Sequence, residues 1–490
     1  MSETPKKKRH IVMTPFMAHG HLIPFLALAR KIQETTSSTF TITIATTPLN
    51  IQYLKSAIST TFSDISIHLA DLPFNHRQYG LPPNIENTEK LPLTDVIKLF
   101  HASTSLEAPL SSLISNITEQ EGHPPICVIS DVFLGWVTNV AKSLGSRSIT
   151  FTTCGAYGTL GYISIWSNLP HRRTDSDEFW TPGFPQNYRF HRTQLHRHLR
   201  EADGTDGWSK FFPPQIALSM KSDGWICNTV EEIETLGLEL LKNYLQLPVW
   251  CVGPLLPPKS SNSKYRAGKE SGIALEECIE WLDLKDESSV LYISFGSQNT
   301  VSASQMAALA EGLEESGIFF IWVIRPPFGF DINAAFKAEW LPEGFEERMK
   351  RSKRGLLVHK WGPQLEILSH KSTGAFLSHC GWNSILESLS QGVPIISWPL
   401  AAEQGYNAKM LVEEMCVSVE LTRTVESVIS KDDVKSVIKI VMDQEGKGKE
   451  MKEKANEIAV HMREATIDRG EEKGSSLRAI DDLVRTILQI

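Results

Sequence analysis

The chain has 490 residues, 41% hydrophobic and 22% charged, an ordinary balance for a globular protein long enough to bury sizeable cores without staples. Lys and Arg number 49 against 57 Asp and Glu, and the net charge of −8 excludes a generally basic nucleic-acid binder and an acidic solvating tail. No stretch reaches the roughly 18 consecutive apolar residues of a membrane span, and Ile11 to Met13 is too short for a signal-peptide core.

In chain order, Lys6 to Arg9 is the one basic run and reads as a solvated tail. Arg9 to Pro15 reads as a strand, Phe16 to Gly20 as a loop, and Leu22 to Glu34 as a helix with apolar positions at helical spacing. Strands follow at Phe40 to Ala45, Ile65 to Leu69 and Ile126 to Ser130. A helix from about Leu134 to Leu144 ends at Gly145, placed as a C′ glycine, and Ser148 to Thr152 is the next strand. Strand–helix–strand units of this length imply a parallel sheet with right-handed crossovers. Asn168 to Pro214 has no clean period and reads as a solvated insertion over a cleft. Its His196-Arg197-His198 is too sparse for a metal site.

Pro254 to Gly272, rich in Pro, Ser and Gly, marks an interdomain linker. The alternation then restarts, with strands at Ser289 to Phe295, Ile318 to Ile324, Gly355 to His359, Gly374 to Ser378, Val393 to Trp398 and Val417 to Leu421. Ser302-x-x-Gln305 opens a helix as a capping box, and Ser475 to Leu488 is a final amphipathic helix. The fold class is therefore α/β, with two successive mostly parallel sheets. The domains are expected at 1–253 and 273–470, joined by the linker 254–272. The seven cysteines are odd in number, scattered and without a C-x-x-C pair, which suits a reducing, cytoplasmic setting.

In open parallel sheets ligands bind beyond the carboxyl ends of the strands. After the first strand comes His19-Gly20-His21, with His21 at a helix start. The helix end disfavours an imidazolium there, so a neutral, proton-accepting ring is expected. Asp131 follows another strand of the same sheet and would orient such a ring, although the sequence does not place the two side by side. Taken alone, His-Gly-His reads as loop or capping residues, and His19 keeps that reading. The richest stretch is Trp361 to Gln404. Its strand Gly374 to Ser378 runs into His379-Cys380-Gly381-Trp382-Asn383-Ser384 and then a helix. That helix start, with Asn383, Ser384 and a donor from His379, suits a diphosphate. Glu387 shares a face with Asn383 and Ser384, as a ribose diol would require, and Trp361 offers a flat face for a base. Glu403 and Gln404 suit a neutral polyol. Neither G-x-G-x-x-G nor G-x-x-x-x-G-K-[ST] occurs, which argues against nicotinamide and P-loop readings.

Trp361 to Gln404 resembles the 44-residue C-terminal signature of the plant family 1 UDP-dependent glycosyltransferases. The resemblance extends to Gly20-His21-Leu22-Ile23-Pro24, the Asp131 position and Ser294-Phe295-Gly296-Ser297. It implies the GT-B architecture: two facing Rossmann-like domains, acceptor on the first, UDP-sugar on the second, with residues 471–490 crossing back to the first. By the resemblance, Trp361 stacks on uracil beside the Gly362 main chain, and Gln364 and Glu387 hold the ribose. Ser297, His379, Asn383 and Ser384 hold the diphosphate. Trp382, Glu403 and Gln404 bind the sugar, which Thr153 also contacts. His21 is the base and Asp131 its partner. Position 403 is Glu where many members have Asp, and Gln404 resembles glucose-using members.

The implied reaction is an inverting transfer from UDP-glucose to a hydroxyl of a small lipophilic acceptor, a flavonoid, phenolic or terpenoid. Another UDP-sugar, a glycoside acceptor, an aromatic carbon acceptor, a UDP-sugar-binding protein without turnover and, against the missing glycine fingerprint, a nicotinamide-dependent sugar-nucleotide oxidoreductase are the alternatives. No metal or other cofactor is expected, no D-x-D-like element being suitably placed, and a monomer without nucleic-acid partners is expected. Acceptor contacts are expected from Phe16, Met17, Cys154 and Phe184, with the stretch Leu81 to Leu99. The aromatics Phe179, Trp180, Phe184, Tyr188 and Phe190 point to an apolar acceptor or, almost as well, to packing of the insertion on the first domain.

Overall fold

The structure, a computed structural model, describes residues 9–36, 39–62, 65–92, 94–257, 265–266, 269–332, 334–423, 427–470 and 472–489. Residues 6–8 of the basic run and residues 258–264, 267 and 268 of the expected linker lie outside them.

Each half of the chain is built on one parallel sheet. The first contains β1 (Arg9–Thr14), β2 (Phe40–Thr46), β3 (His68–Asp71), β4 (Cys127–Asp131), β5 (Arg147–Thr152), β6 (Trp225–Cys227) and β7 (Val249–Cys251), in the order β3-β2-β1-β4-β5-β6-β7. The second contains β8 (Val290–Ser294), β9 (Phe319–Ile324), β10 (Gly355–His359), β11 (Thr373–Ser378), β12 (Ile395–Ser397) and β13 (Ser418–Glu420), in the order β10-β9-β8-β11-β12-β13. Every residue of β4, β8 and β11 is buried, because helices cover both faces of a parallel sheet. Strand order reverses between β1 and β4 and again between β8 and β11. Those two switch points open crevices at the carboxyl ends of the strands.

The helices that shape the site are α1 (His19–Thr35), α2 (Trp136–Ser143), α3 (Ala156–Asn168), α4 (Gly207–Ser219), α5 (Trp382–Leu389), α6 (Gln404–Glu413) and α7 (Ser475–Leu488). One apolar cluster joins the halves: Tyr157 and Leu160 of α3 share it with Trp382 and Ile385 of α5 and Tyr406 and Met410 of α6. The last helix, α7, packs on the first half. Its Ile480, Leu483 and Ile487 are fully buried with Phe25 and Trp250, and the Trp250 indole donates to Asp482 at 2.9 Å. No helix among the described residues is long and apolar enough to cross a membrane.

The stretch Asn168 to Pro214 corrects the expectation of a solvated insertion. Phe179, Phe184, Phe190, Leu199, Phe211 and Phe212 are at most 4% exposed and belong to the joining cluster. α4 runs through Pro213 and Pro214, which read as irregular in sequence. The prolines remove two helix donors, but Asp206 caps the first turn by accepting from the N–H groups of Trp208 and Ser209, and burial of Phe211, Phe212 and Ile216 anchors the helix.

Leu483→Ala should cost about 2–5 kcal/mol, the usual range for emptying a buried leucine site. Urea unfolding measures it. A loss below about 1 kcal/mol would mean that α7 is not anchored by its apolar face.

Candidate active site

Strand pairing builds the first wall. Thr14 of β1 lies opposite Ser130 of β4, so the loop leaving β1 and Asp131, the last residue of β4, emerge together at the crevice. The loop turns into α1 at His19, which puts His21 in the first helical turn. The His21 ring nitrogen Nδ1 lies 2.6 Å from Asp131 Oδ2, with Thr153 Oγ1 at 3.5 Å. Asp131 is fully buried, and its other oxygen accepts the Phe133 N–H at 3.1 Å. With Nδ1–H donated to the carboxylate, Nε2 is the ring's acceptor. Phe16 stands edge-on to the imidazole at 5.6 Å between centroids, and Phe133 flanks it at 5.4 Å.

Burial alone would lower the His21 pKa, but the Asp131 carboxylate, through its charge and hydrogen bond, and the more distant Glu403 raise it further than burial lowers it. The net shift is upward from 6.5. The adjacent carboxylate thus favours the protonated ring, against the effect of burial.

The second wall is α5 and the loops after β8, β11 and β12. Gln364 links the expected ribose residues, its amide donating to Glu387 Oε2 at 2.7 Å and Ser384 Oγ at 3.1 Å while accepting from the Tyr292 hydroxyl at 3.3 Å. His379 is buried among Gly296 and Gly381. A Cβ at either glycine would stand 2.6 or 2.5 Å from its Nε2, so only glycine allows the ring to fit. Burial, with the Arg325 charge, pulls the His379 pKa down to about 4, so this ring offers a donor but no charge. Gln404 accepts the N–H groups of Leu400 and Ala401 at 2.9 and 2.8 Å, and its NH₂ has no protein partner among the described residues. Burial raises the Glu403 pKa, and Asn407 approaches that carboxylate at 3.4 Å.

The two walls enclose one cleft of about 330 Å³. His21, Thr153, Cys154, Ser297, Trp361, Gln364, His379, Trp382, Asn383, Ser384, Glu387, Glu403 and Gln404 all line it, and Asp131 sits behind His21. His19, read as a loop residue, also lines it, stacked on Tyr53 at 3.9 Å and paired with Glu89 at 3.2 Å. Three expected acceptor contacts are corrected. Phe16 and Met17 are 1% exposed and Phe184 4%, and none is among the lining residues: Phe16 stacks on Phe100, while Phe184 packs on Tyr157 and Phe190. Trp382 lines the cleft, but its indole faces the other half. Its indole N–H donates to the Asn228 carbonyl at 2.6 Å across the two halves and is not available to a sugar hydroxyl. Asn383 also reaches across, donating to the Gly20 carbonyl at 3.0 Å. Among the described residues no group of three or more His, Cys, Asp or Glu side chains is placed to hold a metal ion.

Sequence reasoning missed Arg325, Asn407 and Phe133. Arg325 directly follows β9 and its guanidinium donates to the carbonyls of Ser297 and Asn299 at 2.6 and 3.1 Å. Its position one residue past a strand end was the available signal. Phe133 follows Asp131 by two residues, and no sequence signal distinguishes Asn407.

Two facing Rossmann-like domains with a catalytic-type His–Asp pair opposite a helix-start anion site define a GT-B glycosyltransferase. Residues 230–459 match the family described as UDP-glucoronosyl and UDP-glucosyl transferase, and residues 8–176 match the glycosyltransferase N-terminal domain. The chain is 44% identical to UDP-glycosyltransferase 92A1 of Arabidopsis thaliana over 99% of its length and 98% of that protein. It is 45% identical to crocetin glucosyltransferase 3 of Crocus sativus over 92% of its length and 94% of that protein. UGT71G1 of Medicago truncatula, solved with UDP-glucose, superposes with a TM-score of 0.79 at 27% identity, covering 98% of each chain. The chain belongs to the plant family 1 UDP-dependent glycosyltransferases.

The neutral ring is the form that accepts a proton, so kcat/KM should fall as pH drops through the raised His21 pKa. The acid limb should therefore have its midpoint above 6.5. Asp131→Asn removes the charge that raises it. The midpoint should move to lower pH and the maximal rate should fall about 10²–10⁴-fold. A midpoint unmoved by the substitution would contradict the pairing of the two residues.

Proposed function

We propose that this enzyme transfers glucose from UDP-glucose to a hydroxyl of a small lipophilic acceptor, forming a β-glucoside in a single displacement without a metal or other cofactor. The observation that carries the reading is the His21–Asp131 pair at 2.6 Å facing the Trp361-to-Gln404 wall across one cleft. Asp131 holds Nδ1–H, and Nε2 takes the acceptor's proton. As it does, the acceptor oxygen attacks the anomeric carbon, and the bond to UDP breaks with oxocarbenium character. The leaving diphosphate meets the N–H groups at the start of α5.

Glucose is supported by the Gln404 NH₂, left to donate to a sugar hydroxyl, beside the accepting Glu403 carboxyl. The name of the Crocus sativus relative supports it too. Support for an apolar acceptor does not rest on the aromatics of 179–190, of which Phe179, Phe184 and Phe190 are core residues. It rests on Val132, Phe133 and Cys154, which wall the cleft beside His21. The enzyme is proposed to act as a cytoplasmic monomer.

Incubation with UDP-glucose and a panel of phenolic, terpenoid and glycoside acceptors, read by mass spectrometry, should yield a product heavier by one hexose. His21→Ala should lower turnover on the best acceptor about 10²–10⁴-fold while UDP affinity changes less than about threefold. Full turnover in His21→Ala would remove the base from this mechanism. Product from UDP-galactose but none from UDP-glucose would overturn the choice of donor.

A further inference from the structure

The donor wall has to hold a diphosphate whose negative charge grows as the sugar leaves, yet the side chains lining its phosphate end carry no formal positive charge. His379 is neutral, Asn383 and Ser384 are uncharged, and the start of α5 contributes about half a charge. Lys360 lines the cleft beside Trp361 but is solvent-exposed. The nearest buried-side cation is Arg325, which donates to the Ser297 and Asn299 carbonyls. It stands behind the loop that follows β8 and is not itself a lining residue, and among the described residues no carboxylate pairs with it. Burial pulls its pKa down to about 10, so it remains charged at neutral pH. Arg325 is half-buried, and a cation partly withdrawn from water without a counter-ion gains from a nearby anion.

Its two hydrogen bonds indicate where that anion binds. The guanidinium draws the Ser297 and Asn299 carbonyls onto itself, at 2.6 and 3.1 Å, and so turns two oxygen acceptors of the loop away from the cleft. The same loop carries Gly296 against His379, whose ring feels the Arg325 charge. We propose that Arg325 is a positioning residue for the diphosphate: it fixes the Ser297–Asn299 loop with its carbonyls turned back and supplies the full positive charge that the bound and departing UDP requires. This rests on reading the cleft as the UDP-sugar site.

Calorimetric titration of the full-length protein with UDP and with uridine separates charge from scaffold, since uridine lacks the phosphates. Arg325→Gln should weaken UDP about 10–30-fold and leave uridine within about twofold, while Arg325→Lys should keep UDP within about threefold of the wild type. Equal losses for UDP and uridine would make Arg325 a scaffold residue only and overturn the proposal. So would unchanged UDP binding in Arg325→Gln, or Arg325→Lys as weak for UDP as Arg325→Gln. If Arg325→Gln does not fold, Arg325→Lys decides: a UDP-over-uridine preference within about threefold of the wild type supports the assignment, and its collapse overturns it. A wild-type protein that binds neither compound would overturn the donor-site reading itself.

Discussion

The hydrogen bond between His21 Nδ1 and Asp131 Oδ2 is the interaction around which the site is organised. A fully buried carboxylate is costly unless each oxygen has a partner. Asp131 meets that condition with the Phe133 N–H on one oxygen and the imidazole on the other. The bond fixes which ring nitrogen carries the proton and biases the ring towards accepting a second one. It exists because β1 and β4 are neighbours at the switch point of the first sheet, so that residues 110 apart in sequence leave the sheet at the same edge.

The two halves of the cleft are held against each other by groups that also belong to the donor wall. Trp382 donates to Asn228 and Asn383 to the carbonyl of Gly20, the residue before His21. The helix start proposed to bind the leaving group is thereby tied to the backbone that carries His21, which would fix the separation of the proposed base and the donor. Such orientation removes a large part of the entropic barrier to a two-substrate reaction. It also explains why a chain with a net charge of −8 can serve an anionic donor. The needed positive potential is local, from α5 and from Arg325 behind its loop, and an overall basic surface would add nothing at the phosphates.

Much of this was legible in the sequence, for identifiable reasons. Strand ends followed by Gly, His, Ser or Asn mark crevice loops, and a signature 44 residues long constrains a site far more than any one residue in it. Element boundaries from β8 to β13 lie within two residues of their expected positions because buried parallel strands read as apolar runs. What was not legible depends on packing between segments distant in sequence. Spacing cannot show that β1 adjoins β4. The aromatic stretch 179–212 reads as irregular because its residues fill a cluster shared by both halves and follow no single helix or strand face. Phe184 was expected in the cleft and lies in that cluster, and Trp382, which lines the cleft, turns its indole N–H onto the Asn228 carbonyl. In both cases the residue type was informative and its direction was set by the other half of the molecule.

The chemistry attributed to His21 and Asp131 is one direct attack on the anomeric carbon, with the imidazole taking the acceptor's proton in the same event. Its most direct test is the anomeric configuration of freshly formed product from the α-linked donor, read by NMR. A product formed solely in the β configuration is the expected result. An α-configured product would require a second displacement or a front-side path and would contradict the role assigned to the pair.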